Sequence, residues 1–318
     1  MIQFVVKSHE SFLKCGPGSI LGVAKTLIAK LMDLLPHILE KSQLLEIVYD
    51  IDQNTFEKNY FNKKRPVLLK GFAKQWPAYQ KWNLDFFENL EFKEKVELEI
   101  GNVMQKESDF EHQNFQDYIH GLRHPEMDKA KDKSYLSMFE VFEYFPELIN
   151  DVDFSYLTKN TLDDVPAAWI GPKGTITGFH TDNYNNMLAQ IMGRKLVLIA
   201  APAFNKKMYP SKKFDLGSTL SEVDINNYDK SAHPDLLDVE FLKVEMEPGD
   251  VLFNPQGWWH YVKSLDTSIS VNNFGYTLKD TLFLKPIESL KISLHYRGFY
   301  RANNCTCHKM VDGIRVAK

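Results

Sequence analysis

Cysteine is scarce in this 318-residue sequence: Cys15, Cys305 and Cys307 are the only three. So small and odd a number excludes a disulfide framework and points to a reducing, cytoplasmic setting. The run Cys305-Thr306-Cys307-His308 has the look of half a metal clip, but no second half-site follows it in sequence, and it reads as an ordinary tail. Charge of one sign is also lacking. Lys and Arg number 38 against 42 Asp and Glu, a formal net charge of -4, which leaves no broad basic field for generic nucleic-acid binding. No uninterrupted apolar stretch is long enough to span a bilayer, which takes roughly 20 residues: Lys25, Lys30 and Asp33 break up residues 19–39. Within that stretch Leu21, Ala24, Ile28, Leu31, Leu35 and Ile38 recur at helical spacing. They predict an amphipathic helix packed on the main domain or a partner chain, with binding to a membrane surface as the sharper alternative. The first residues show no basic segment leading into an apolar one, so no secretory signal is expected. Internal repeats and low-complexity segments are absent too.

What is present is a chain rich in aromatics, at 13%, and able to bury a sizeable core. Residues 1–50 read as a mainly helical extension. Arg65-Pro66-Val67-Leu68-Leu69-Lys70-Gly71 is an apolar β-type run closed by glycine, and 82–90 and 139–149 read as helix. Residues 105–133 are polar and read as helix and loop; Ser134 to Met138 is a short strand. From about 166 to 276 short strands alternate with Gly and Pro turns, including a hairpin at Gly193-Arg194 and a turn at Pro248-Gly249-Asp250. The tail, 277–318, reads as helical, with Leu282, Leu284, Ile287, Leu290, Ile292 and Leu294 as its apolar positions. The fold class is therefore mainly β, a sandwich or barrel with flanking helices.

His180-Thr181-Asp182 stands on one of the extended segments, where residues i and i+2 point to the same side. His260 follows 80 residues later, after Gly257-Trp258-Trp259. Two imidazoles and a carboxylate on one face form the triad that holds non-haem iron(II) while leaving positions open for small molecules. The pair alone says little, because the chain has ten histidines and a histidine in a β segment is commonly a hydrogen-bonded core residue. Lys195, heading the apolar run Leu196-Val197-Leu198-Ile199, is either a hairpin lysine in water or a cation inside the barrel awaiting an anion. Thr177 and Asn186 offer short polar groups near the pair, or ordinary strand and turn chemistry.

Taken together, Arg65 to Gly71 with Trp76-Pro77-Ala78 and Trp82, Tyr135-Leu136, Trp169 to Thr175, His180-Thr181-Asp182, Asn186, Gln190 to Lys195, Pro248-Gly249-Asp250 and Trp258-Trp259-His260 resemble the JmjC-type hydroxylases of the cupin-like group. That group includes the asparaginyl hydroxylase that acts on hypoxia-inducible factor. The resemblance covers residues 52–276, leaves 1–50 without a counterpart, and suggests a catalytic domain at 51–276.

It implies a double-stranded β-helix (jelly-roll, cupin) core, with iron(II) held by His180, Asp182 and His260, and with 2-oxoglutarate and O2 as cosubstrates. It implies that Lys195 pairs with the far carboxylate of 2-oxoglutarate, that Thr177 and Tyr135 hydrogen bond the same end, and that Asn186 and Asn272 lie beside it. One residue of register decides between Asn272 and Asn273. Trp169 lines the substrate entrance or packs in the core. The expected activity is hydroxylation of an amino-acid side chain in a protein or peptide, with 2-oxoglutarate converted to succinate. A tRNA-base hydroxylase and a non-catalytic cupin-fold binding protein are the alternatives. The C-terminal helices suggest a homodimer, as in relatives.

Overall fold

The computed structural model describes residues 31–32, 34–103, 109–125, 134–302, 304–311 and 314–317. The first elements are α1 (Leu35–Lys41), β1 (Gln43–Leu44), β2 (Ile47–Val48), β3 (Val67–Leu69), β4 (Lys95–Ile100), β5 (Asn102–Val103), β6 (Asp109–Asn114), α2 (Phe115–Arg123) and β7 (Ser134–Phe139). The central strands are β8 (Leu162–Gly171), β9 (Ile176–Asp182), β10 (Asn185–Met192), β11 (Lys195–Ala200), β12 (Ser218–Leu220), β13 (Phe241–Met246), β14 (Val251–Asn254), β15 (Trp259–Ser264) and β16 (Ser268–Tyr276). Then come α3 (Leu278–Tyr296) and a hairpin of β17 (His308–Val311) and β18 (Ile314–Ala317).

Two sheets carry the fold. One runs β12-β9-β15-β11-β13-β1 with β5 beside β9, and the other runs β2-β3-β14-β10-β16-β8-β7-β4-β6. From β9 to β11 and from β13 to β16 successive strands switch sheets, so the chain winds around a shared interior as a double-stranded β-helix, the jelly roll implied by the resemblance. Alternation along each strand sorts side chains between inside and outside. On β11, Lys195, Val197 and Ile199 face inward while Leu198 and Ala200 pack outward against Phe179, Trp259 and Tyr261. The outer face of the larger sheet is covered by an aromatic layer that includes Phe56, Trp76, Trp82, Phe87, Phe115 and Phe139.

Two motifs read separately in the sequence meet here. Asp250, 1% exposed, accepts hydrogen bonds from the backbone N–H groups of Gly71 (3.0 Å) and Glu247 (2.8 Å) and pairs with Lys70 at 3.0 Å. The carboxylate thus pins the turn before β14 to the end of β3.

Four expectations need correction. The amphipathic helix over 19–39 lies mostly outside the described residues. In its described part Leu31–Met32 pairs with Tyr228–Asp229 as strand, and a helix begins only at Leu35, with Pro36 in its first turn. Residues 43–48 are not helical: β1 and β2 add in parallel to β13 and β3, where pairing satisfies the sheet edges. The tail is helical only to Tyr296, beyond which the β17–β18 hairpin satisfies its backbone by pairing with itself. In the polar stretch before Ser134, β6 occupies Asp109–Asn114, paired with β4.

Removing a buried carboxylate that satisfies two backbone donors and a lysine costs about 2–4 kcal/mol. Asp250→Ala is expected to lower the urea midpoint accordingly at unchanged slope; a midpoint equal to wild type contradicts the pinning role.

Candidate active site

A cavity of about 240 Å³ opens between the two sheets. The smaller sheet contributes Thr177, His180, Asp182, Lys195, His260 and Val262, and the larger contributes Trp169, Asn186, Leu188, Leu252, Asn254 and Asn272. Every candidate residue named from the sequence lines this one space, Tyr135 included. The strand register accounts for this. His180 and His260 are direct cross-strand partners on β9 and β15, and their ring centroids lie 4.0 Å apart. Asp182, two residues on, points the same way. Thr177 lies three residues before His180, which in a regular strand would face outward, but the β9–β15 register shifts between Thr177 and His180 and turns both inward. On β16 alternation decides between the asparagines: Asn272 faces the cavity, and Asn273 turns away to Asp164.

His180 Nε2 is 3.6 Å from Asp182 Oδ1, and His260 Nε2 is 3.5 Å from Asp182 Oδ2. The three donor atoms lie within 4.8 Å of one another. His180 Nδ1 donates to the Gly178 carbonyl at 2.8 Å, which leaves the Nε2 lone pair directed into the group. His260 Nδ1 lies 3.2 Å from the Trp258 carbonyl and 3.1 Å from the Asn254 side-chain nitrogen. Asn254 Oδ1 is buried without a partner among the described residues, so exchanging the amide's nitrogen and oxygen puts a second acceptor at Nδ1. Asp182 Oδ2 is likewise buried and accepts no hydrogen bond among the described residues. Burial pushes the Asp182 carboxyl above its usual range, against the pull of His180 and a hydrogen bond from Asn186. Burial, reinforced by His180, holds His260 well below its ordinary value and hence neutral. An orphaned carboxylate oxygen beside two lone-pair-bearing imidazoles is what a divalent cation satisfies, and the donor set suits iron(II).

Lys195, 2% exposed, also faces inward. Its Nζ hydrogen bonds the Tyr135 hydroxyl at 3.1 Å and forms no ion pair among the described residues. Desolvation pulls its pKa down to about 7 and pushes Tyr135 up. A buried ammonium without a counter-ion is an anion site awaiting its ligand. Trp169 Nε1 donates to Asn272 Oδ1, and the Asn272 amide donates to Asn186 Oδ1 at 3.2 Å, a chain of hydrogen bonds along the wall. The rim is formed by Met138, Val165, Tyr184, Phe274 and the segment Asp215 to Ser218.

Three contributors escaped sequence reasoning. Asn254 backs His260, although a polar residue ending an apolar strand was visible. Gly171 makes room for Tyr135, because a Cβ there would meet the ring at 2.5 Å. Asp215 supplies a carboxylate at the rim, from a stretch without periodicity.

The lysine carries a stability consequence. Unfolded, Lys195 titrates near 10.4; folded, near 7. Between those values the unfolded chain binds the extra proton, so ligand-free stability rises with pH across that window. Lys195→Met is expected to abolish that slope and leave the ligand-free melting temperature at pH 7 no lower than wild type; a slope kept by the variant contradicts the assignment.

The cupin-like domain family matches residues 53–279 of the chain. Lysine-specific demethylase 8 of Xenopus tropicalis is 30% identical over 244 residues, 75% of this chain and 54% of that protein. JmjC domain-containing protein D of Dictyostelium discoideum is 30% identical over 254 residues, 74% and 57% respectively. Jumonji C domain-containing protein 5 of Drosophila melanogaster is 31% identical over 225 residues, 68% and 56%. The chain thus spans about half the length of the curated relatives it matches. With the triad, the inward lysine and the sheet topology in place, the chain belongs to the cupin-like, JmjC-type family of iron(II)- and 2-oxoglutarate-dependent oxygenases.

Proposed function

We propose that this protein hydroxylates an amino-acid side chain of a protein or peptide, converting 2-oxoglutarate and O2 to succinate and CO2. The observation that carries the reading is Lys195: a buried cation with no counter-ion among the described residues, in the same cavity as the His180, Asp182 and His260 donors. In this reading those three residues hold iron(II), and Lys195 pairs with the far carboxylate of 2-oxoglutarate. Tyr135 and Thr177 hydrogen bond that carboxylate, Asn186 and Asn272 flank the cosubstrate, and Trp169 bounds the entrance. Iron(II), when bound, supplies the redox chemistry that couples decarboxylation to oxygen insertion. The chain's own residues position both carboxylates and keep water from the reacting atoms. We place the catalytic unit at about residues 51–276.

The rim favours a protein over a nucleic-acid substrate. Among the described residues lining the rim the charged side chain is Asp215, with Tyr184, Leu216 and Phe274 around it. A carboxylate repels phosphates and accepts neutral or cationic side chains, which disfavours the tRNA-base alternative. The relatives named lysine-specific demethylases support a second reading, in which the carbon hydroxylated is an N-methyl group and the product sheds formaldehyde. Formaldehyde release with methylated peptides separates the two. A non-catalytic binding role leaves Lys195 and the triad present but turnover absent.

The α3 face also bears on partners. Leu278, Leu282, Phe283, Ile287 and Leu290 are 52–67% exposed, an apolar row that a second copy of the chain is suited to cover. No described helix is long and apolar enough to cross a membrane.

Two results are expected. Asp182→Ala abolishes iron-dependent succinate release, a loss of at least about 10²-fold, no smaller than the loss from removing an outer partner of a metal ligand; substantial release by the variant contradicts the triad. In light scattering the wild-type chain has the mass of a dimer and Leu282→Glu with Leu290→Glu that of a monomer; a monomeric wild type rejects the dimer.

A further inference from the structure

A second cluster of metal-ligand side chains lies outside the cavity. His295, at the last turn of α3, meets Cys305, Cys307 and His308, with one donor atom from each inside a 4.8 Å span. His295 Nε2 is 3.3 Å from His308 Nδ1 and 3.3 Å from Cys307 Sγ. His308 Nδ1 is 3.2 Å from Cys307 Sγ and 3.6 Å from Cys305 Sγ. Hydrogen bonding does not account for this convergence. A ring nitrogen carries one N–H or one lone pair, yet three atoms crowd His308 Nδ1. On His295, Nδ1 already faces the Tyr300 carbonyl at 2.8 Å, which as an N–H donor leaves Nε2 with its lone pair aimed into the cluster.

The spacings match the edges of a tetrahedron around an ion. Metal–nitrogen bonds of about 2.0–2.1 Å and metal–sulfur bonds of about 2.3 Å put nitrogens about 3.3 Å apart and nitrogen and sulfur about 3.5 Å apart. Two thiolates and two neutral imidazoles balance a dication, and tetrahedral S2N2 coordination selects zinc among common divalent ions. Sequence spacing hid the site, because three ligands fall within Cys305 to His308 and the fourth, His295, comes from a helix ten residues earlier.

We propose that His295, Cys305, Cys307 and His308 bind a structural zinc ion that fastens the tail to the rim of the cavity. The tail reaches the rim directly. Phe214 stacks on the His295 ring at 4.1 Å, its N–H donates to the Asn304 carbonyl at 2.8 Å, and its carbonyl accepts from the Thr306 N–H at 3.0 Å. The Thr306 hydroxyl donates to Asp215, the rim carboxylate. A closed four-ligand shell has no open position, so the role is to hold the Phe214–Ser218 segment in place.

The test is metal analysis of the full chain expressed with zinc. About one zinc per chain is expected, kept by Asp182→Ala and lost by Cys305→Ser with Cys307→Ser. Cobalt(II) in place of zinc in the wild-type chain gives thiolate-to-metal charge-transfer absorption, which the sulfur-free triad cannot produce. On zinc removal the Phe214 and Thr306 amides exchange with solvent faster, while 2-oxoglutarate still binds at the cavity floor. A wild-type chain with neither zinc nor the charge-transfer absorption, a Cys305–Cys307 disulfide in freshly purified protein, or zinc retained by the double variant overturns the site. Unchanged amide protection after zinc removal overturns the fastening.

Discussion

A lysine ammonium buried at the wall of the cavity, with no ion-pair partner among the described residues, is the constraint around which this barrel is arranged. Lys195 enters the cavity because it heads β11, whose alternation places Val197 and Ile199 inward after it and Leu198 outward. The hairpin before it turns at Gly193. There the left-handed backbone (φ +71°) and the Thr267 carbonyl, 2.3 Å from where a Cβ would stand, leave space only for glycine. Tyr135 is the single hydroxyl that meets the ammonium among the described residues, and it fits because Gly171 carries no side chain. Such an arrangement is destabilising until an anion arrives, the usual sign that a local rule has been broken for function.

The triad obeys the complementary logic. Burial disfavours the ionised carboxylate of Asp182 and the protonated form of His260, so the group as folded is poised for a cation. One cavity therefore holds a place for an anion and a place for a metal, which together describe a chelating dicarboxylate. The β9 register shift brings Thr177 into the same space, and the hydrogen-bonded chain Trp169, Asn272 and Asn186 stiffens the opposite wall.

Much of this was legible in the sequence, because period-two alternation fixes which residues of a strand share a face. The i and i+2 spacing put His180 and Asp182 on one face, whereas alternation left Lys195 open between water and the interior, and only the resemblance to the JmjC-type hydroxylases joined Lys195 and His260 to that pair. Asn272 and Asn273 could not be separated, since one residue of register exchanges them, and pairing with β8 and β10 settles the matter. Contributors that act through space left no periodic signal: Asn254 behind His260, Gly171 beneath Tyr135, and His295 beside Cys305, Cys307 and His308. The edge strands at 43–48 were missed for a related reason, since their conformation comes from pairing with β13 and β3 rather than from their own side chains, which are largely exposed.

In the proposed function, iron and 2-oxoglutarate share one cavity and depend on opposite ends of it. Anaerobic titration with iron(II) followed by 2-oxoglutarate, read by the visible charge-transfer absorption of the chelate, tests this most directly. Saturation is expected at one iron and one 2-oxoglutarate per chain, with affinity for 2-oxoglutarate reduced by roughly 30-fold or more when Lys195 is replaced by Met, the loss that follows from removing one partner of a buried charge pair. Absorption that never develops, or 2-oxoglutarate bound equally well without iron and without the lysine, contradicts it.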